Sequence, residues 1–248
     1  MRYALISDIH ANLAALDAVL VDIGERGVDA THHLGDLVGY SSAPNEVIAR
    51  LAERGITGVA GNYDTTVARH YKHCGCRAES PAQEALAHES FTWTLAHTSA
   101  ASKAQLAALP FRVDLRPNGG HVAGPTVTLV HATPQSNLVY VTEDRSDDFL
   151  RKMAESARLS RGDVLCFGHT HKPWHRAVDG IHFINTGSVG RPKDGDPRAS
   201  YILLTIANGD VTVEVTRVAY DIAATAAGVR AAGLPEAFVR FLETGGAA

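Results

Sequence analysis

The first part of the chain alternates between short apolar runs and segments whose apolar side chains recur at helical spacing. The short runs predict buried strands, whereas one helical face is formed by Leu13, Leu16, Val19, Leu20 and Ile23. The pattern predicts strands at residues 2–7, 30–34 and 56–60 and helices at residues 12–26 and 45–54. Because helices separate these strands, we expect a parallel sheet with right-handed crossovers.

Beyond residue 60, the predicted strands and helices no longer alternate regularly. Ser80, Pro81 and Gln83 mark a helix start, since serine caps, proline fits the first turn and glutamine completes a capping box. Ser146 is predicted to cap another helix. The other predictions are helices at residues 80–98, 103–109, 221–232 and 235–243, strands at 111–115, 126–131, 164–167, 176–178, 181–185, 200–207 and 211–217, and a turn at 117–120.

The domain organisation is predicted to be simple. No internal repeat, low-complexity tract or linker interrupts the elements. The sequence therefore predicts one α/β domain over residues 1–248, with two sheets covered by helices. A helical insertion is expected at about residues 64–109 and C-terminal helices at about residues 221–243.

Composition and charge argue against several classes of protein. An apolar content of 45% and a charged content of 20% are typical of a globular protein with a full core. A formal net charge of −4 and a pI near 6.3 argue against nucleic acid or a membrane bound by bulk charge. No apolar run approaches the roughly 18–20 residues that span a bilayer, and no signal peptide precedes the first strand. Three cysteines suit a reducing compartment, so we expect a cytoplasmic location.

One segment resembles a site for a soft metal ion. It contains His70, His73, Cys74 and Cys76, but its spacing is not that of a common zinc motif. A second Cys/His pair at a suitable distance is missing as well. A surface loop is predicted here, with a structural zinc site as the alternative.

Metal-capable polar residues follow five of the predicted strands. The carboxyl ends of strands in an open α/β sheet line the crevice where ligands bind. The residues at these ends are Asp8, His10, Asp36, Asn62, His131, His169 and His171. Each alone is ordinary, because aspartate and asparagine cap helices or form turns and histidine is often structural. Their common position at strand ends predicts a metal site.

The chemistry of this set indicates two ions. Seven nitrogen and oxygen ligands are more than one ion with an open position would take. Imidazole and carboxylate without thiolate suit Mn²⁺, Fe or Zn²⁺. If one carboxylate is shared, the set divides into two four-ligand sites, and Asp36 is the natural bridge.

Five motifs resemble those of the calcineurin-like metallophosphoesterases. They run in the family's order over residues 3 to about 190: Asp8-x-His10, Gly35-Asp36-x-x-Gly39, Gly61-Asn62-x-Asp64, His131 and Gly168-His169-x-His171. The stretches at residues 35–40 and 185–190 further resemble the compact bacterial and archaeal phosphodiesterase-like branch. The resemblance implies a four-layer αββα sandwich of two mixed β-sheets flanked by helices, so that residues 1–248 would form a single metallophosphoesterase domain.

The resemblance also implies the ligands of two divalent metal ions. One ion would be held by Asp8, His10, Asp36 and His171, and the other by Asp36, Asn62, His131 and His169. Mn²⁺ is favoured, with Fe, Zn²⁺, Ni²⁺ or Co²⁺ as alternatives. A hydroxide bridging the ions would attack phosphorus in line, and the ions would offset charge on the phosphoryl oxygens.

The implied activity is metal-dependent hydrolysis of a small-molecule phosphoester. A phosphodiesterase acting on nucleotide-like, aryl or cyclic phosphodiesters is favoured. The alternative enzyme is a phosphomonoesterase or a diadenosine-polyphosphate hydrolase. The alternative outside enzymes is a metal-bound scaffold for protein interaction, because retromer-type members of the family have lost catalytic residues.

Tyr63 departs from the family's pattern, in which a histidine at this position assists the leaving group and the following acidic residue, here Asp64, holds it. A phenol with a pKa near 10 is poorly matched to proton transfer at neutral pH, although it can donate a hydrogen bond. Tyr63 either packs at the rim or contacts the substrate, and Tyr63 and Asp64 are the candidate catalytic residues. Weak general-acid assistance would favour aryl or cyclic phosphodiesters over alkyl monoesters.

Four further residues are candidate substrate contacts. Asn12 either caps the helix that follows it or donates to a phosphoryl oxygen. Arg191, Lys193 and Arg198 lie in a loop rich in Gly, Pro and Asp, where they are either solvated or bind phosphate. The histidines without a partner pattern are predicted to be structural: His32, His33, His88, His97, His121, His175 and His182.

Overall fold

Two sheets form the centre of the structure, a computed structural model that describes residues 1–77, 80–117 and 124–246. The described strands are β1 (Arg2–Ile6), β2 (Ala30–His33), β3 (Thr57–Gly58), β4 (Arg112–Leu115), β5 (Val127–Val130), β6 (Val164–Phe167), β7 (Trp174–Val178), β8 (Ile181–Asn185), β9 (Ala199–Ala207) and β10 (Asp210–Val218). The first sheet has the order β10-β9-β1-β2-β3 and the second has the order β4-β5-β6-β8-β7. Both sheets are mixed: β1, β2 and β3 are parallel, as the crossovers predict, whereas β9 and β10 pair antiparallel.

Eight helices flank the sheets within the described ranges. They are α1 (Leu13–Glu25), α2 (Pro44–Glu53), α3 (Asn62–Ala68), α4 (Pro81–His97), α5 (Ala100–Ala107), α6 (Asp147–Ala157), α7 (Ile222–Ala231) and α8 (Glu236–Thr244). Side chains that accept a backbone hydrogen bond cap five of them: Asn12, Ser80, Ser99, Ser146 and Asp221. The starts predicted at Ser80 and Ser146 are therefore present.

Apolar side chains fill the spaces between the layers. Successive residues of β1 point to opposite faces, so that Leu5 joins Leu129 in the cluster between the two sheets. Ile6 joins Leu16 of α1 on the outer face of the first sheet. Helix α6 covers the outer face of the second sheet, where the cluster includes Phe167. This succession of helix, sheet, sheet and helix confirms the predicted αββα sandwich.

The largest departure from the predicted elements lies at residues 56–68. The sequence predicts a strand to residue 60 followed by a turn, but β3 ends at Gly58 and α3 begins at Asn62. The chain leaves the sheet because the Ala60 amide donates to the Pro110 carbonyl at 2.8 Å instead of to β2. The Asp64 side chain then caps α3 by accepting from the Gly61 amide at 2.9 Å.

The cysteine segment is a loop in which His70 and His73 are exposed, as predicted, but its first cysteine is not at the surface. Cys74 is buried and joined to Cys76 by a disulfide. The Cys74 carbonyl accepts a hydrogen bond from the Asn62 amide at 3.0 Å, so the segment packs against the start of α3. Within the described residues, no cluster that could hold a metal ion contains a cysteine, His70 or His73.

Part of one predicted turn and one predicted structural histidine are not described by the structure. Residues 118–120 of the predicted turn and His121 lie outside the described residues.

Over the described ranges, none of the helices combines the length and the apolar character needed to cross a membrane.

Asn12 caps α1 and joins three segments of the chain. Its side-chain oxygen accepts from the Ala15 amide at 3.1 Å and from the Thr225 hydroxyl at 2.9 Å. Its amide donates to the Gly190 carbonyl at 3.0 Å. Both ends of the buried side chain are therefore engaged, which assigns Asn12 the capping role rather than a contact with phosphate.

Replacement of Asn12 tests this network. We expect Asn12→Ala to lower the free energy of unfolding by about 3 kcal/mol, because a cap is lost and buried partners are left unpaired. Ser146→Ala is the control, since Ser146 makes one capping hydrogen bond at an exposed position and its loss costs about 1 kcal/mol. Urea-induced unfolding measures both values, and equal losses would contradict the account.

Candidate metal centre

The predicted metal ligands meet at one edge of the sandwich. They follow β1, β2, β5 and β6 or begin α3, and all of them are buried: Asp8, His10, Asp36, Asn62, His131, His169 and His171. Within the described residues, six of them form two groups that could hold a metal ion, and Asn62 lies beside the second group. The first group is Asp8, His10 and His171, and the second is Asp36, His131 and His169.

The backbone of this edge is strained. Five of these residues have left-handed φ angles between 49° and 66°: Asp8, His10, Asp36, His169 and His171. Residues other than glycine rarely adopt this conformation, and it persists where surrounding contacts hold it. Two such contacts join the loops that follow β1 and β2. The Asp8 amide donates to the Gly35 carbonyl and the His10 amide donates to the Asp36 carbonyl, both at 3.0 Å.

Backbone carbonyls fix the tautomers of three histidines. The Nδ1 atom lies 3.0 Å from the Val38 carbonyl in His10, 2.8 Å from the Leu34 carbonyl in His131 and 2.6 Å from a backbone carbonyl in His171. A carbonyl only accepts, so each Nδ1 carries the proton and donates it. Each Nε2 atom therefore faces the site and offers a lone pair there when its ring is neutral.

Acceptor atoms consequently face one another in both groups. In the first group, the Nε2 atoms of His10 and His171 are 3.2 Å apart, and His171 Nε2 is 3.2 Å from Asp8 Oδ1. In the second, His131 Nε2 lies 3.1 Å from Asn62 Oδ1. It also lies 3.2 Å from His169 Nδ1, which donates or accepts according to the tautomer of that ring. Asn62 presents its oxygen here because its amide nitrogen donates to the Cys74 carbonyl.

Buried polar atoms at this edge are left without partners. Within the described residues, Asp8 Oδ1 and His169 Nε2 are buried and have no hydrogen-bond partner. Buried lone pairs that face one another repel, and the desolvation of each costs free energy unless a cation lies between them. Carboxylate, amide and imidazole donors in this arrangement fit borderline-hard divalent ions.

Burial also shifts the pKa values of several of these side chains. It lowers the pKa of His171 to about 4 and holds the pKa values of His10 and His169 well below their usual range. Burial raises the pKa of Asp36 to about 8, although neighbouring His131 favours the ionised carboxylate. Neutral imidazole is the form that binds metals, and a carboxyl with a raised pKa releases its proton when a cation binds beside it.

Asp36 lies between the two groups. Its Oδ1 atom accepts a hydrogen bond from the Tyr63 amide at 2.8 Å, which fixes the carboxylate. Its Oδ2 atom is 3.8 Å from His10 Nε2 in one group and 3.5 Å from His131 Nε2 in the other. The geometry therefore allows one carboxylate oxygen to serve both groups.

Tyr63 is fully buried and is one of the residues that line the cavity next to the two groups. Its hydroxyl lies 3.2 Å from Ser90 Oγ, and its ring packs edge-on against the His10 ring at 5.6 Å between centroids. A Cβ atom on Gly39 would lie 2.6 Å from the Tyr63 ring, so this glycine provides the space for the aromatic side chain. Burial raises the pKa of the Tyr63 phenol well above its usual value, which opposes its ionisation during proton transfer.

Asp64 supports the loops rather than facing the site. Its Oδ1 atom accepts from the Leu37 amide at 2.8 Å and its Oδ2 atom from the Gly61 amide at 2.9 Å. Leu37 follows Asp36, and Gly61 precedes Asn62. The buried carboxylate thus holds the two loops that carry these candidate ligands at a fixed separation.

A cavity of about 670 Å³ opens above the two groups. Its lining includes several candidate ligands together with cationic and aromatic side chains. The cations are Arg77, Lys172, Arg191, Lys193 and Arg240, and the aromatic rings include Tyr40, Tyr140, Phe238 and Phe241. Among the described lining residues, Asp36 supplies the one carboxylate. A cationic cavity of this size suits an anionic organic molecule.

The structure brings two of the four predicted substrate contacts to this cavity. Arg191 and Lys193 line it. Arg198 is exposed and pairs with Asp196 at 2.6 Å, and Asn12 is engaged in the network that caps α1. Neither Arg198 nor Asn12 is among the described residues that line the cavity.

Helix α8 supplies cavity residues that the sequence analysis missed. Phe238, Arg240 and Phe241 lie on this helix and line the cavity. The apolar spacing of α8 indicates a buried face, but no motif marks these residues as part of a site. Their contacts are with residues far away in the sequence, such as Tyr40, whose ring lies 5.5 Å from that of Phe238.

A sequence profile for the calcineurin-like phosphoesterase superfamily domain matches residues 1–209 of the chain. The protein belongs to the calcineurin-like phosphoesterases. The matched region contains both histidine–aspartate groups, and the family relationship confirms the resemblance seen in the motifs. Helices α7 and α8 of this calcineurin-like phosphoesterase follow the matched region.

Individual relatives agree with this assignment. Uncharacterized protein MJ0912 of Methanocaldococcus jannaschii is 30% identical over 241 residues, covering 88% of both chains. Phosphodiesterase YfcE of Escherichia coli K12 is 28% identical over 214 residues, covering 82% of this chain and 87% of its own. A metallophosphoesterase from Sphaerobacter thermophilus has a crystal structure that aligns with a TM-score of 0.76 at 31% identity, covering 99% of both chains. These relationships support a hydrolase.

Proposed function

We propose that this calcineurin-like phosphoesterase is a phosphodiesterase that uses two divalent metal ions. The observation that carries the proposal is the set of buried acceptor atoms that face one another on both sides of Asp36 Oδ2. A ligand set for two cations is the simplest account of this arrangement. Mn²⁺ is the favoured ion, because the donors are carboxylate, amide and imidazole without thiolate.

The residues divide between two metal sites that share Asp36. One site consists of Asp8, His10, Asp36 and His171, and the other of Asp36, Asn62, His131 and His169. The chemistry that such ions supply when bound is activation of a water molecule and stabilisation of charge on phosphoryl oxygens. The protein orients these ligands through the hydrogen bonds of His10, His131 and His171 to backbone carbonyls.

The surroundings of the site favour a diester over a simple monoester. The buried Tyr63 hydroxyl faces Ser90, so it is poorly placed to protonate a departing alkoxide. Arg191 and Lys193 would bind the phosphate, while the aromatic side chains of the cavity would contact its organic substituents. An aryl phosphodiester has a leaving group that requires little protonation and is therefore the expected substrate class.

The alternatives differ from this proposal in specific ways. A phosphomonoesterase or a diadenosine-polyphosphate hydrolase would use the same ligands with another substrate, and substrate profiling separates them. A metal-bound scaffold would hold ions without turnover. The complete set of seven candidate ligands favours an enzyme over a scaffold.

Metal content and Asp36 test the shared site. Protein reconstituted with Mn²⁺ is expected to hold about two ions per chain and to hydrolyse bis(4-nitrophenyl) phosphate. Asp36→Asn is expected to lose both ions and to lower kcat by at least about 100-fold, because one carboxylate serves both sites. Elemental analysis by mass spectrometry and initial rates measure the two effects.

Asp196→Asn is the matched control, since Asp196 pairs with Arg198 and does not line the cavity. This variant should retain the metal content and rate of the wild type. Full retention of one ion by Asp36→Asn would show that the carboxylate is not shared. Bound metal without metal-dependent turnover in the wild type would favour the scaffold.

Leaving-group dependence tests the role given to Tyr63. Across aryl phosphodiesters of graded phenol pKa, the wild-type rate is expected to fall as the phenol becomes less acidic, because general-acid assistance is weak. Tyr63→His should reduce this dependence and raise the activity on alkyl esters. Tyr63→Phe is the control and should keep the wild-type slope, and a flat wild-type dependence would refute the interpretation.

A further inference from the structure

The Arg191 side chain lies between two aromatic rings. Its guanidinium carbon is 3.9 Å from the centroid of the Tyr40 ring and 3.7 Å from that of the Phe241 ring. Tyr40 follows the loop that carries Asp36, whereas Phe241 belongs to α8, beyond the region that the family profile matches. Rings from two chain segments that are far apart in sequence therefore pack against one cation.

The donors on the edge of this guanidinium are unpaired within the part of the chain that the structure describes. Among the described residues, no carboxylate or carbonyl accepts a hydrogen bond from the Arg191 guanidinium and no ion pair includes it. Other arginines are paired with acids, for example Arg151 with Asp179 at 2.8 Å and Arg217 with Asp194. A guanidinium carries five N–H donors, so Arg191 retains its capacity for hydrogen bonding.

Arg191 is also joined directly to the candidate metal centre. Its backbone carbonyl accepts the hydrogen bond from His171 Nδ1 at 2.6 Å, and its side chain lines the cavity above the ligands. Because two aromatic rings pack against the guanidinium, its N–H edge is the part that is available to a ligand. An edge with parallel N–H donors matches two oxygens of a phosphoryl group.

We propose that Arg191 binds the phosphoryl oxygens of the substrate and that Phe241 of α8 positions it for this contact. The proposal rests on the phosphodiesterase function proposed above and assigns the C-terminal helix to the substrate site. Phe241 acts as a positioning residue: with Tyr40, it restricts the guanidinium to one plane. Helix α8 also brings Phe238 and Arg240 to the same cavity, so this helix contributes to the choice of organic substituent.

A double-mutant cycle on Mn²⁺-loaded protein tests the positioning role. Arg191→Met is expected to lower kcat/KM for bis(4-nitrophenyl) phosphate about 50-fold, because charge-assisted hydrogen bonds are lost. Phe241→Leu is expected to lower it about 5-fold through loss of the stacking contact. In the Arg191→Met background, Phe241→Leu should have no further effect, because the residue acts through Arg191.

Two controls separate positioning from general stability. Phe241→Tyr keeps an aromatic face and should retain the wild-type kcat/KM. Phe149→Leu removes a ring of α6 that lies 5.0 Å from the Arg145 guanidinium, and it should leave kcat/KM unchanged. Independent, multiplicative effects of Phe241→Leu and Arg191→Met, or no effect of Phe241→Leu in the wild type, would overturn the proposal.

Binding of inorganic phosphate gives a readout that does not require turnover. Titration calorimetry with the same Mn²⁺-loaded variants should show weaker phosphate binding for Arg191→Met and, to a smaller extent, for Phe241→Leu, with the same coupling. If the wild type binds phosphate but does not hydrolyse the diester, the proposed function fails while the coupling still decides the role of Phe241. Unchanged phosphate binding in all three variants would refute the contact by Arg191.

Discussion

The two oxygens of the Asp36 carboxylate hold the site together. The Tyr63 amide fixes Oδ1, and this leaves Oδ2 facing both groups of candidate ligands. The approach of the chain segments is so close that a Cβ atom on Gly61 would lie 2.1 Å from Asp36 Oδ1. Glycine is therefore required at this position. The Asp64 carboxylate holds the same loop by accepting a hydrogen bond from the Gly61 amide. The proposed sharing of this carboxylate thus depends on the contact between the loop after β2 and the start of α3.

The sandwich supplies the rigidity that this arrangement needs. Left-handed backbone at residues other than glycine costs roughly 1–3 kcal/mol each, and the candidate ligands include several such residues. The strands that precede them are buried between apolar clusters, so the cost is offset by packing that is independent of any ligand. Polar atoms without partners, such as Asp8 Oδ1, are then held in position before a cation arrives.

The sequence predicts much of this arrangement because its determinants are local. Strand periodicity, helix caps and the order of the elements placed Asp8, Asp36 and His131 at strand ends, and the sheet then brings strand ends together. The sequence does not predict α3, since Gly61 supplies no capping side chain and the helix depends on Asp64. Nor does it predict the burial of Tyr63 or the contact between Phe241 and Arg191, because both arise from packing between segments with no local signal. Interactions of this kind become visible only in three dimensions.

The central claim is that one carboxylate oxygen serves two cations. Anomalous diffraction at the manganese absorption edge, from crystals of the Mn²⁺-loaded protein, locates the ions without reference to activity. The account predicts two anomalous peaks that flank Asp36, one of them next to Asp8, His10 and His171 and the other next to Asn62, His131 and His169. A single peak, or two peaks of which only one lies beside the Asp36 carboxylate, would contradict it.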